Sequence, residues 1–347
     1  MIELFDRRAR RRFWKNAGSR VGVFLVALLV LFALVGPFFA RHDPDVSDFV
    51  NGATPLGEPI GPNATYWLGT DRIFRDVFVR LAYGARLSLV IAISATVIST
   101  VIGSAVGLVS GFYEGTQGAR IPYASIALAV VGLGAIFTSH TRLGGGLLIA
   151  ALVVLAIAWV LPVKSLAKIL EGPRMDADTA LMRLVDIGLS FPFLLLVMAL
   201  AAAFDRTTVS TILWTLGLTS WLGTARVVRA KTLSVRNLDF IGAARALGQP
   251  VPRILVSHIL PNVSGPIIVL STSQVASMIV AESVLSYLGV GIAPPTPTWG
   301  HMLYEGQDVY LSAPWLLAAP AFGILLSVLG FNLLGEGLRD ALDPKED

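Results

Sequence analysis

The chain has 347 residues, of which 54% are hydrophobic and only 14% charged, whereas soluble domains carry about 25% charged residues. A chain so long and so apolar cannot hide its surface in a water-soluble core, and the bilayer is its natural solvent. Cysteine is absent, which excludes a disulfide framework, a thiol nucleophile and a Cys-ligated metal site; the net charge of +4 says less by its size than by its placement.

Residues 1–20 hold Arg7, Arg8, Arg10, Arg11, Arg12, Lys15 and Arg20 and read as a basic cytoplasmic N-terminus under the positive-inside rule. The uncharged run 21–40 reaches the roughly 20 residues of a spanning helix. Its length, its Gly36-Pro37 ending and the lack of a small-x-small cleavage site set it apart from a signal peptide. Residues 41–86 follow as an extracytoplasmic segment, rich in Pro, Gly and Asp as far as Tyr66. Further spans are predicted at 87–109, 121–139, 143–163, 187–204, 207–225, 259–287 and 314–335, with Asp205 and Arg206 in one turn. Eight spans return the tail, 341–347, to the cytoplasm. The segment between the last two spans falls outside and has no Lys or Arg from Gly289 to Ala313. The fold class is therefore all-α and polytopic.

The pair 121–163 lies within an inserted hydrophobic stretch, 116–174. Removing it leaves six core spans with every other orientation unchanged. Arg120, Lys164, Lys168 and Arg174 flank its inner ends and Arg142 lies at its tip. Two true spans are expected. The competing reading, a flat or re-entrant segment, draws on Gly132, Gly134 and the Gly144-Gly145-Gly146 run, since glycine weakens helices.

Several chemistries are excluded by motif. No lysine follows a glycine, so the phosphate-cradling GxxxxGK[ST] loop is absent. There is no HExxH, and His42, His140, His258 and His301 lack metal-ligand spacing. No basic stripe with interleaved aromatics points to nucleic acid. Asp186, Glu282 and Glu336 each fall near a predicted span end and read as interfacial rather than catalytic.

The segment between Ala225 and Ile259 carries Arg226, Arg229, Lys231, Arg236, Arg245 and Arg253 against one acid, Asp239, so it lies inside. Within its 234–261 stretch, Phe240 to Leu247 reads as a short helix with Ala243 and Ala244 on part of its surface. Gly248 is a helix stop, Pro252 suits the first turn of a second helix, and Pro261-Asn262 enters the next span. Two short helices make a docking knob, or else an amphipathic connector on the bilayer surface.

This stretch resembles the EAA loop of ABC-importer permeases: Ala243, Ala244, Gly248, Leu260 and Pro261 fall at the loop's spacing. Gly242 stands where Glu is usual and His258 where Ile is usual. Trp67-Leu-Gly-Thr-Asp71-Arg-Ile-Phe-Arg75-Asp76 and Tyr83-Gly-Ala-Arg86 resemble the opening of C-type dipeptide, oligopeptide and nickel permeases, with Phe74 where Gly is usual. Met182 to Asp186, Phe191-Pro192, Glu282 to Gly291, Pro294 to Gly300, Ser312 to Trp315 and Phe331 to Pro344 are similar to the same family. The resemblance implies a type I ABC-importer permease fold of six core helices, here with an inserted two-helix hairpin. It implies a permease core over 87–340 and no directly bound cofactor, ATP and magnesium belonging to partner subunits. The implied partners are a second homologous permease, two ABC ATPase subunits, an extracytoplasmic substrate-binding protein and the lipid bilayer. It places ATPase docking at Gly242, Ala243, Ala244, Arg245, Gly248, Arg253, Leu260 and Pro261; Arg245 and Arg253 serve equally well as ligands of lipid headgroup phosphates. The segment up to Tyr66 and the Pro294–Gly300 stretch either meet the binding protein and gate, or are a covered loop and a stiff turn. Competing functions are a secondary transporter, an intramembrane enzyme and a non-transporting scaffold; the lack of mid-span carboxylates and internal repeats counts against the first two.

Overall fold

A computed structural model describes residues 7–115, 177–204 and 207–342; the predicted hairpin and the Asp205-Arg206 turn lie outside them. The described chain forms α1 (Arg7–Lys15), α2 (Ala17–Val35), α3 (Val77–Tyr113), α4 (Ala177–Ser190), α5 (Phe193–Ala202), α6 (Val209–Arg236), α7 (Asp239–Ala246), α8 (Val251–Ile254), α9 (Leu260–Tyr287), α10 (Trp299–Gly306) and α11 (Trp315–Leu342). Among the described residues, four helical stretches are long and apolar enough to cross a membrane: Ala17–Phe39, Val77–Tyr113, Val251–Tyr287 and Trp315–Leu342. The multi-pass membrane architecture read from hydropathy is thus present, with differences in detail.

The sequence places one straight span at 187–204. The structure instead bends the chain by 91° between Leu181–Ser190 and Phe193–Ala202. Pro192 has no N–H to donate and disfavours helical geometry in Phe191 before it, so the helix stops and restarts. α6 is 28 residues long, enough to span, but Thr211, Thr215, Thr219, Ser220 and Thr224 dilute its apolar surface. Thr215, Thr219 and Ser220 return their hydroxyls to carbonyls of the preceding turn, which makes them tolerable in hydrocarbon.

α3 begins at Val77 rather than Leu87 because Asp76 caps it, accepting from the N–H groups of Phe78 and Val79. At 37 residues it is about 55 Å long, well beyond the roughly 30 Å hydrocarbon core. It packs most extensively against α6. Gly103, Gly107 and Gly111 recur at each turn of α3, and α6 backbone lies directly on them. A Cβ at Gly107 would sit 2.6 Å from the Ala225 carbonyl oxygen and 2.8 Å from Val228 Cβ. Lipid offers no hydrophobic drive between helices, so such close backbone approach supplies the packing attraction. α2 and α11 repeat the device: a Cβ at Gly22 would lie 2.6 Å from the Leu334 nitrogen, and Ser19 fills the space over Gly337.

The helix ends define two faces. α1, the start of α2, the end of α3, α7, α8 and the end of α11 share a basic end. The segment between α2 and α3, together with α10, forms the opposite, loop end. There the Trp67–Asp76 motif is a buried ion network. Arg75 reaches Asp71 at 2.7 Å and Glu305 of α10 at 2.6 Å, while Arg80 meets Glu305 at 3.2 Å and Asp71 at 3.4 Å. Arg80 also donates to the carbonyls of Pro44 and Pro295. The network ties the loop, α3 and α10 into one body. Phe74 adopts a left-handed φ of 65°, the conformation that the usual glycine takes without strain. Its carbonyl accepts from Asp48 N–H at 3.0 Å, and its ring packs edge-on against Phe49.

Gly107→Val inserts a branched side chain where backbone already touches. It should destabilise the detergent-solubilised protein by about 1–3 kcal/mol in thermal unfolding, whereas Gly242→Ala, with open space around it, should not. At Glu305, burial pushes the carboxyl up, but His301, Arg80 and Arg75 outweigh it and hold it at about 2, from an ordinary 4.5. A carboxylate depressed in the fold stabilises fully above the ordinary value and loses that contribution as pH falls towards the folded one. Wild-type stability should therefore drop by on the order of 3 kcal/mol between about pH 4.5 and 2, and the drop should be smaller in Glu305→Gln. Equal acid sensitivity in the two proteins would contradict the assignment.

Candidate functional site

The 234–261 stretch folds at the basic end as two short helices joined by a fixed turn. α7 spans Asp239–Ala246, starting one residue before the sequence places it. Gly248 has φ +69°; its N–H donates to the Arg245 carbonyl at 2.9 Å, and Gln249 N–H to that of Ala244 at 3.1 Å. These bonds consume the orphan carbonyls of α7, so the turn is set by the backbone. Pro252 occupies the first turn of α8. A single π-helical turn, Leu255–Ile259, joins α8 to α9, and Pro261 enters the span as the sequence predicts. His258 Nε2 lies 2.9 Å from Gln249 Oε1, spanning the elbow from its second arm to its turn.

The elbow has an inward and an outward face. Ile241, Ala244, Ile254 and Ile259 are buried against Leu108 and Phe112 of α3 and Val228 and Val235 of α6. Ala244 thus packs into its own bundle; it was expected on the docking surface. Gly242, Ala243, Arg245, Gly248 and Arg253 are exposed, and Leu260 and Pro261 are half-buried at the root. Nothing lies within 4 Å of a Cβ built on Gly242 or Gly248. Leu247, at the apex, is 79% exposed.

Arg245 extends from α7 over the ring of Phe112 at 4.7 Å, a cation–π contact onto the end of α3. On the other side of that end, Arg236 donates one guanidinium nitrogen to the carbonyls of Gly111, Phe112 and Glu114 at 3.1, 3.2 and 2.8 Å. Its other nitrogen reaches the Glu114 carboxylate at 3.1 Å. A cation at a helix C-terminus satisfies orphan carbonyls and complements the helix dipole. Arg229 continues the cluster, bonding Asp178 of α4 at 2.6 Å and Glu114 at 3.1 Å; Asp178 also accepts from Ser110. The sequence shows these arginines only as an orientation signal, because their partners lie on other helices.

Two more polar groups differ from expectation or escaped it. Glu282, expected at an interface, is fully buried and accepts from Ser88 at 3.0 Å and Ser286 at 2.8 Å. Asp186, by contrast, pairs at the surface with Arg226 at 2.6 Å. Mid-bundle, the Gln274 amide donates to Ser99 at 2.7 Å and to the Ser220 carbonyl at 3.3 Å, joining α9 to α3 and α6. Among the described residues no group of His, Asp or Glu is arranged to hold a metal ion.

The chain as a whole, elbow included, matches known proteins. The family model described as "Binding-protein-dependent transport system inner membrane component" matches residues 166–347, which hold the elbow. A second, "N-terminal TM domain of oligopeptide transport permease C", matches residues 5–55. The chain is 32% identical to the oligopeptide transport system permease protein of Bacillus subtilis (strain 168), over 97% of this chain and 88% of that one. It is 32% identical to the dipeptide transport system permease protein of the same organism, over 97% and 85%. It is 33% identical to the di/tripeptide transport system permease protein of Pseudomonas aeruginosa (strain UCBPP-PA14), over 96% and 92%. The chain therefore belongs to the family of binding-protein-dependent transport system inner-membrane components, the type I permease subunits of ABC importers.

Proposed function

We infer that this chain forms half of a translocation pathway for small peptides and couples it to ATPase subunits that dock on the elbow. The observation carrying this reading is the elbow's geometry: a backbone-locked turn, an outward face on which Gly242, Ala243 and Gly248 lie bare beside Arg245 and Arg253, and an inward face fixed to α3 and α6. The basic end is cytoplasmic, with both termini, because Lys and Arg concentrate there; the loop end faces the substrate-binding protein in a bacterial or archaeal cell membrane. A second homologous permease completes the pathway. ATP and magnesium are used by the ATPases, and no cofactor is held here. Peptide cargo rests on the relatives, which are named for oligopeptides, dipeptides and di/tripeptides.

In this reading, closure of the ATPase dimer displaces α7. The displacement reaches α3 through Arg245 on Phe112 and through Arg236 on the last carbonyls of α3, and reaches α9 through the π-helical turn. Gly242 removes the carboxylate usual at its position, so contact there rests on close backbone approach rather than on an ion pair. Ala243, Arg245, Gly248 and Arg253 surround the contact. Ala244, Leu260 and Pro261 position it from behind.

Gly242→Trp and Ala243→Trp project into open space and should leave thermal stability unchanged. Both should abolish co-purification of the co-expressed ATPases and uptake of a labelled peptide delivered by the binding protein. Full association and full uptake in both variants would overturn the docking assignment. Arg236→Gln should behave differently. The ATPases should still bind and hydrolyse ATP, but peptide moved per ATP should fall by about 2- to 30-fold, the range of coupling energies carried through such networks. Unchanged coupling would remove Arg236 from the path.

A further inference from the structure

α1 belongs neither to the elbow nor to the clamp on α3. Its sequence, RRARRRFWK, has no acid in its first turn. Asn16, extended at φ −70° and ψ 124°, separates it from α2 and caps that helix by accepting from the N–H groups of Gly18 and Ser19. α1 is thus a short separate helix at the polar boundary of a span. Phe13 is its buried side chain, 8% exposed, and α1 packs against α11 and α2. Arg10, Arg11, Trp14 and Lys15 fall on one face at helical spacing and line an open cleft of about 440 Å³. Among the described residues, Arg10, Arg11 and Lys15 form no ion pair. Three cations and an indole thus share one cleft, with no carboxylate among the described residues of its lining.

The span that follows has the highest mean hydropathy of the four, 2.8. Its exposed side chains include Val21, Phe24, Leu28 and Leu31, a single apolar stripe at helical spacing that starts at the same end as the cleft. An occupant that satisfies both features carries negative charge at the interface and hydrocarbon beyond it. Inorganic phosphate would answer the cleft and leave the stripe untouched. An acidic protein surface would do the same.

We propose that this cleft is a binding site for an anionic phospholipid, with Arg10, Arg11 and Lys15 on the headgroup phosphate, Trp14 against the glycerol region and acyl chains along the α2 stripe. Trp is favoured at that depth, and basic side chains beside a span attract anionic headgroups. The site fixes α1, and through Asn16 the start of α2, to the surface of the leaflet it faces.

The test is retention of phosphatidylglycerol against phosphatidylcholine by the full-length chain, read by native mass spectrometry from mixed micelles. Wild type should prefer phosphatidylglycerol, and the preference should weaken as salt is raised. The double variant Arg10→Gln/Arg11→Gln should bind phosphatidylglycerol about 25-fold more weakly, about fivefold per charge removed, with phosphatidylcholine unchanged. Arg10→Lys/Arg11→Lys should keep the preference. The proposal is overturned if wild type shows no preference, if the preference is insensitive to salt, if inorganic phosphate displaces the lipid completely, or if the Gln variant retains phosphatidylglycerol like wild type. The salt series uses the unmodified chain and so decides the matter even if the Gln variant does not integrate.

Discussion

A helix of 37 residues has more backbone than the hydrocarbon can cover, and both its ends must find polar partners outside it. In this chain those ends are met by side chains from distant segments. At the loop end, Asp76 caps α3 while Arg80, one turn in, is neutralised by Glu305 and Asp71. At the basic end, Arg236 reaches across from α6 to hold three terminal carbonyls. Between the ends, the glycine ridge brings α6 into backbone contact. α3 is the rod against which α6, α9, α10 and the elbow are set, and its position depends on charges that hydrocarbon alone would not accept.

Helix existence was legible in the sequence wherever the apolar run was long and uncharged, as in α2, α9 and α11. The start of α3 was not, because Arg80 and Arg86 read as span boundaries until their surroundings are known, and Arg80 is matched by Glu305, far away in sequence, as well as by the nearby Asp71. The break at Phe191-Pro192 was written in the chain, but proline is common inside spanning helices; Pro266 and Pro320 sit within α9 and α11 without ending them. Hydropathy cannot distinguish these cases, since the difference lies in whether neighbouring helices hold the chain straight. Phe74 is a different case. Its departure from glycine could be seen in sequence, but the positive φ it must adopt, and the Phe49 ring that packs on it, could not.

The elbow was the most legible part of the site because its signals are local. Gly248 stops a helix, Pro252 starts one, and Pro261 opens a span, each for reasons contained in one or two residues. Its two faces were not legible. Ala243 and Ala244 are chemically identical, and only the position of α7 over Leu108 and Phe112 sends one outward and the other into the bundle. The basic clamp on α3 escaped for the same reason. Arg229 and Arg236 counted towards orientation by number alone, whereas their partners Glu114 and Asp178 lie far away in sequence.

Those two acids bear on how the core tolerates the long stretch between them. Glu114 is nearly the last residue described before it, and Asp178 nearly the first after it. One guanidinium, that of Arg229, bonds both, at 3.1 Å and 2.6 Å, and Asp178 is bonded in turn to Ser110 of α3. Glu114 and Asp178, on either side of that stretch, are thus held at a single point on α6. Ends pinned this way hold α3, α4 and α6 together through charge-assisted hydrogen bonds. What α3 and α6 require is that the two acids arrive together, and that requirement places no condition on the number of residues spent between them.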